Sequence, residues 1–178
     1  MRTGSVNWYN TPMQTHDGSG FMPIDEASIH RALDLNNRHA TELSFQTLDD
    51  FRQLVAMAVY AKWCPGERGF LIAFDERAAY RNSNFAWFRA RYAAFTYIDR
   101  VVIDPAHRGQ GLARRLYEDL FAQSVASGRS RIVCEVNAEP PNPASDAFHA
   151  RLGFAPVGSA ALPDRGKTVR YFTLDLSS

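Results

Sequence analysis

Residues Val101–Gly128, "VVIDPAHRGQGLARRLYEDLFAQSVASG", decide how the chain is read. A β-branched run stops at Asp104-Pro105, because proline cannot donate to a sheet ladder and pushes its predecessor away from the helical region. Gly109 and Gly111 follow, and then an amphipathic segment runs without a backbone breaker to Ser127-Gly128. A strand, a glycine-rich turn and a helix in succession form an anion cradle, since consecutive turn N–H groups and the first four N–H groups of the helix have no internal partner. Glycine accepts positive φ and carries no Cβ to obstruct a phosphate. Ala113 keeps the first turn slim. Leu112, Ala113, Leu116, Leu120, Phe121 and Val125 are expected against a sheet, with Arg114, Arg115, Glu118 and Asp119 outward. Five arginines and two acids lie between His107 and Arg131, so a polyanionic ligand suits this segment.

Two familiar phosphate binders do not fit. A P-loop needs Gly-Lys followed by Ser or Thr at the helix start, and "GQGLARR" has neither. A dinucleotide fingerprint needs G-x-G-x-x-G, and only Gly109-x-Gly111 is present. The plainer alternative is a flexible strand-to-helix joint.

The rest of the chain sets bounds on this reading. Its 178 residues, 46% hydrophobic, suit one well-buried core. Twenty Lys and Arg against nineteen Asp and Glu give no global field that would draw nucleic acid or an anionic membrane. Cys64 and Cys134 stand far apart with no clustered histidine, so neither a zinc site nor a disulfide framework is expected, and no metal is assigned. No window approaches the ~18 apolar residues of a membrane span, and no signal pattern opens the chain, which reads as cytoplasmic.

Residues 1–20, rich in Gly, Ser, Thr, Asn and Pro, are expected to form a flexible arm ahead of a single domain over 21–178. Helices are predicted around Ile29–Asn36 and from Thr47 to Ala58, the second with a Thr47-x-x-Asp50 capping pair. "VYAKW" and "GFLIAF" form a hairpin across "CPGER", and "SNFAWFRARY" a short aromatic helix serving the core. "FTYIDRVVI" and "RIVCEV" are strands on either side of the central helix. "NPASDAFHARLGF" is a helix closed by Gly153, and "FAPVGSA" with "TVRYFTLDL" a final hairpin across "LPDRGK". Interleaved helices and strands give an α/β or α+β class with a mixed sheet.

The order Ile98-x-x-Val101-x-Ile103-x-Pro105, then Arg108-x-x-Gly111-x-Ala113, resembles the coenzyme A motif of the GNAT acetyltransferase superfamily. "CEVNAEPPNPASDAFHARLGF" resembles that superfamily's next strand and helix, with Asn142, Ser145, Phe148 and Leu152-Gly153-Phe154 in the usual places. The similarity covers roughly Phe21 to Leu176. It implies a central mixed sheet of six to seven strands, flanked by helices and splayed between its two middle strands. It also implies acetyl transfer from acetyl-coenzyme A to a primary amine of a small molecule or peptide by direct attack. The pyrophosphate would then meet the N–H groups of Arg108, Gly109, Gln110, Gly111, Leu112 and Ala113. The pantetheine arm would run beside Val101, Val102 and Ile103, where a main-chain N–H near Val102 or Ile103 polarises the thioester. Asn142, Ser145 and Phe148 would border the coenzyme.

Amine attack calls for a base. Glu135 is similar to the glutamate of the "LEV" strand in ribosomal-protein N-terminal acetyltransferases, where it serves as base, and Asp99 stands where other members carry an acid. Either could instead be a salt-bridged strand residue. His149 replaces the family's usual tyrosine and, as an imidazolium, could protonate the departing thiolate; otherwise it is an ordinary helix histidine. Tyr117, Arg114 and Arg115 read as packing and solvated charge. Because the tyrosine is missing, a non-catalytic acetyl-coenzyme A sensor is the alternative. The acceptor is unassigned, and a homodimer is left open.

Overall fold

The computed structural model describes residues 20–176; the arm expected over 1–20 lies outside the described residues apart from Gly20. The elements run β1 (Met22–Pro23), α1 (Ile29–Arg38), α2 (Ala40–Leu43), α3 (Leu48–Met57), β2 (Tyr60–Trp63), β3 (Gly69–Asp75) and α4 (Ser83–Arg89). They continue with β4 (Thr96–Ile103), α5 (Leu112–Ala126), β5 (Arg131–Glu139), α6 (Pro143–Arg151), β6 (Ala155–Leu162) and β7 (Lys167–Asp175). The seven strands form one mixed sheet in the order β1-β2-β3-β4-β5-β7-β6. This is the α/β class expected from the alternation of patterns.

Local chemistry starts the helices where the sequence suggested. Thr47 Oγ1 accepts the N–H of Asp50 at 3.2 Å at the head of α3. Asp25 and Ser28 exchange side-chain bonds just ahead of α1, Ser28 Oγ donating to Asp25 Oδ1 at 2.7 Å. Asn82 caps α4 by accepting from Asn84 and Phe85. Asn142 caps α6 by accepting the N–H of Ser145 at 3.1 Å.

The sheet separates two apolar layers. Ile29, Ala32 and Leu35 of α1, Phe51 and Leu54 of α3, and Phe85 and Phe88 of α4 pack on one face against Phe70, Ile72, Phe74, Tyr97, Val133 and Tyr171. Leu112, Leu116, Tyr117 and Leu120 of α5, with Phe154, cover Leu71, Ala73, Ile98, Ile132, Cys134 and Phe172 on the other. With both faces covered, β3 is buried along its whole length.

Two assignments on α5 need correction. Val125 was expected inward and is 55% exposed, because the buried face runs through Leu116, Tyr117, Leu120 and Ser124 and Val125 is turned away from it. Asp119 was expected outward, yet it accepts from Tyr60 Oη at 2.8 Å and Lys62 Nζ at 2.9 Å, tying the helix to β2. The two-residue β1 and the single-turn α2 were not anticipated, being too short to show a period.

The central pair of strands sets up the site. β4 and β5 run parallel and pair only at Thr96 with Ile132 and Tyr97 with Val133. Beyond that they diverge, and β5 finds its full partner in β7. A bulge opposite Ile72 and Ala73 leaves Asp99 as the extra residue of β4, between Ile98 and Arg100.

Candidate active site

The glycine-rich turn is built as a cradle. Asp104 Oδ1 accepts the N–H of Ala106 at 2.9 Å and fixes the turn after β4, while Arg108 Nε donates to the Ile103 carbonyl at 3.3 Å. Gly109 and Gly111 take φ of 75° and 73°, the left-handed region that glycine enters without a steric penalty. A Cβ at either would meet nothing within 4 Å, so the backbone faces open space. Arg115 N–H makes the bond to Gly111 C=O at 3.1 Å that opens the α5 ladder, and the N–H groups of Leu112, Ala113 and Arg114 precede it. A cleft of about 330 Å³ lies here, lined by Ile103, Arg108, Gly109, Gly111, Leu112, Ala113 and, from α6, Phe148. Gln110 belongs to the same turn but lines neither this cleft nor the next.

The divergence of β4 and β5 opens a larger cleft of about 870 Å³. Val101, Val102, Ile103 and Arg108 line it with the cap residue Asn142, Ser145 and His149 of α6, Tyr117 of α5, and the two acids Asp99 and Glu135. Asp104 donates its N–H to the Arg68 carbonyl beside β3 at 2.8 Å. By the period of two, Val102 turns its N–H the same way, and Val101 and Ile103 present theirs to the splay. Of the two main-chain donors considered from sequence, Ile103 is therefore the one on the open side.

Glu135 lies on the α4 side of the sheet. Its Oε1 accepts from Asn84 Nδ2 at 2.9 Å and from Tyr97 Oη at 3.0 Å. Asn84 is oriented in turn by Tyr171 Oη, which donates to Asn84 Oδ1 at 3.0 Å. Oε2 is shielded from solvent and has no partner among the described residues. Burial, then the nearby Asp99 charge, push the Glu135 carboxyl up to about 7, against the two hydrogen bonds that hold it down. Asp99 is differently placed. Arg100 Nε meets Oδ2 at 2.6 Å and Tyr80 Oη donates to Oδ1 at 2.6 Å, both ionic side chains being 4% exposed. Arg100 also donates to Asn36 Oδ1 at 2.7 Å.

His149 and Tyr117 meet on the opposite face. His149 Nδ1 lies 2.8 Å from the Ser145 carbonyl, which can only accept, so Nδ1 carries the proton. Nε2 is then the acceptor, and Tyr117 Oη donates to it at 3.0 Å. Burial is the main cause that lowers the His149 pKa below its ordinary 6.5. The imidazolium considered from sequence is thus disfavoured near neutral pH, because desolvation among Tyr117, Phe148, Phe154 and Phe172 opposes the charge.

The family model for the "Acetyltransferase (GNAT) family" matches residues 39–154. The chain belongs to the GNAT acetyltransferase family. No curated protein matches it by sequence. Among solved structures, this acetyltransferase is similar to the ribosomal-protein-S18-alanine N-acetyltransferase of Escherichia coli, with a TM-score of 0.63 and 17% identity over 89% of this chain and 94% of that one. It is also similar to yncA of Salmonella typhimurium, solved with acetyl-CoA, at TM-score 0.61 and 19% identity over 88% and 93% of the two chains. An N-acetyltransferase from Staphylococcus aureus gives 0.62 and 17% over 88% and 98%. At these identities the likeness is one of fold.

As a GNAT member the protein is an acetyl-coenzyme A-dependent acetyltransferase, and its residues suit that co-substrate. Uncommitted N–H groups and two positive-φ glycines open onto empty space at the head of α5, beside Arg108. No helix among the described residues is long and apolar enough to cross a membrane. Three participants escaped sequence reading. Tyr97 and Asn84 lay unremarked in the strand "FTYIDRVVI" and the helix "SNFAWFRARY", and Tyr117 read as packing. Their partners are 38, 51 and 32 residues away, so no local pattern carries the signal.

Proposed function

We propose that the protein transfers the acetyl group of acetyl-coenzyme A to a primary amine of a small molecule or peptide by direct attack, with Glu135 as the general base. The observation that carries this reading is the Glu135 carboxylate, pinned through Oε1, with Oε2 unpartnered among the described residues, at the opening of the two central strands. A carboxyl that titrates at about 7 accepts a proton far more readily near neutral pH than an ordinary glutamate. The ammonium of the acceptor loses its proton to Oε2, directly or through a water. The neutral nitrogen then forms the C–N bond at the thioester carbon as the C–S bond breaks.

The cradle N–H groups from Gly109 to Ala113 hold the pyrophosphate, the Arg108 N–H expected among them being given to the Pro105 carbonyl at 3.4 Å, and the pantetheine arm follows Val101–Ile103. The Ile103 N–H, turned into the splay, stabilises negative charge on the thioester oxygen. The thiolate leaves with the sulfur electron pair and takes up the second proton, which the acylated nitrogen sheds as the amide forms; the Tyr117 hydroxyl, oriented by His149, relays it by giving its proton to sulfur as it gains one, and is neutral before and after. This pair stands in for the helix tyrosine of other members. Asp99 serves as a fixed charge that raises Glu135, since both its oxygens are engaged.

A thiol-release screen of amines, amino acids and peptides with acetyl-coenzyme A tests the reading. Release that depends on a particular amine, with an acetylated product by mass spectrometry, is expected. Tight coenzyme binding with no amine-dependent release would favour the sensor instead.

A further inference from the structure

The charges around Glu135 narrow the chemistry of the acceptor. The larger cleft is bordered by Arg81, in the loop between β3 and α4, and by Arg165, in the turn between β6 and β7. In the strand order, β3 and β4 stand on one side of the splay and β5, β7 and β6 on the other, so the two arginines come from its two banks. Both are exposed, and neither makes a hydrogen bond or ion pair with any described residue. The other cations of the cleft are committed: Arg100 to Asp99 and Asn36, Arg108 to the Ile103 carbonyl, and Lys167 to the Thr41 carbonyl at 2.8 Å. Lys167 still brings a positive charge, with no described carboxylate paired to it.

Acids do not balance this rim. Asp99 is ion-paired with Arg100, Glu135 is the proposed base, and Glu42 stands 3.8 Å from His39 Nδ1. Asp164, next to Arg165 in sequence, does not line the cleft. An unpaired guanidinium presents forked donors that match a carboxylate or phosphoryl group, and two of them lie on the rim of the cleft that holds the base.

We infer that the acceptor is a small amine that also carries an anionic group, which Arg81 and Arg165 hold while the amine meets Glu135. This rests on the proposed acetyl transfer, and its test separates the two. Coenzyme thiol release is measured at saturating acetyl-coenzyme A for amino acids, their amides, their decarboxylated amines and the matching aminoalkylphosphonates. The anionic members should exceed their neutral partners in kcat/KM by about tenfold or more. The ranking of carboxylates against phosphonates tells which anion is read. In the Arg81→Gln/Arg165→Gln double variant that preference should vanish through KM, with acetyl-coenzyme A affinity unchanged. A wild type that prefers neutral or polycationic amines, or a double variant that keeps the preference, overturns the inference.

If no amine is acetylated, it is the transfer reading that fails. The anion site is then read by calorimetry, titrating the same amino acids and phosphonates into the coenzyme A-bound protein. Binding that is lost in the double variant supports the site; no binding, or binding that persists in the variant, overturns it.

Discussion

At Glu135, two donors on Oε1 and none from the described residues on the buried Oε2 define a carboxylate held through one oxygen only. The same arrangement costs stability. Because its folded pKa, about 7, lies above the ordinary 4.5, the neutral form suits the fold. Stability from this group is full below 4.5 and is lost as pH rises through 7, by an amount on the order of 3 kcal/mol. Glu135→Gln keeps an acceptor for Asn84 and Tyr97 and removes the charge, so its Tm should exceed that of the wild type at pH 8 by several degrees and converge with it near pH 4. Equal melting at pH 8 would mean that the carboxylate is solvated. Asp99→Asn should behave oppositely. It strands Arg100 in a buried site and should destabilise by about 3–5 kcal/mol, read from denaturant midpoints. On the other face, Tyr117→Phe and His149→Phe should each lower turnover about tenfold or more, and the double variant should be little worse than either single. Additive losses would show that the two residues do not work as one unit. In the wild type the His149 ring, followed by NMR, should remain neutral at pH 7.

At the level of elements, the strand-turn-helix of Val101–Ala126 was legible because every feature of it is local: proline after the strand, glycines in the turn, leucines on one helix face. Gly109→Ala illustrates its sensitivity. The methyl forces a positive φ on a non-glycine residue, costing about 1–2 kcal/mol, and projects into the space where the pyrophosphate is proposed to bind. Acetyl-coenzyme A affinity, measured by calorimetry, should fall by more than the modest drop in Tm explains. The aromatic segment of α4 was legible as a helix and not as a support for the site. Trp87 stacks on Tyr171 with ring centroids 4.2 Å apart, and Tyr171 orients the Asn84 that holds Glu135. Gly158 permits this, since a Cβ there would stand 2.8 Å from Trp87 Cζ2. Gly158→Ala should therefore cost about 1–3 kcal/mol and also lower kcat, coupling a strand far along the chain to the base. Loss of stability with an untouched kcat would separate the aromatic stack from the chemistry.

For the whole molecule, the order of elements and the mixed sheet could be read from alternating periods, and the opening between β4 and β5 followed from the family resemblance. The partners of the site residues could not be read, because they are fixed by how three helices and two strands are brought together. Asp99 and Glu135 are alike as letters in neighbouring strands. Only the bulge in β4, which seats Asp99 against Arg100, and the helix α4, which reaches Glu135 from across the sheet, make one a fixed charge and the other a base. The same assembly puts the base on one face and the Tyr117–His149 pair on the other, with the divergent strands between them. The most direct test of that division is the pH dependence of kcat/KM for an accepted amine in the wild type and Glu135→Gln, at saturating acetyl-coenzyme A. The wild-type rate should climb through an inflection near pH 7, and the variant should lose that inflection together with about 10²-fold of the rate, while still binding the coenzyme. A Glu135→Gln enzyme with the wild-type rate and the same inflection would contradict Glu135 as the base.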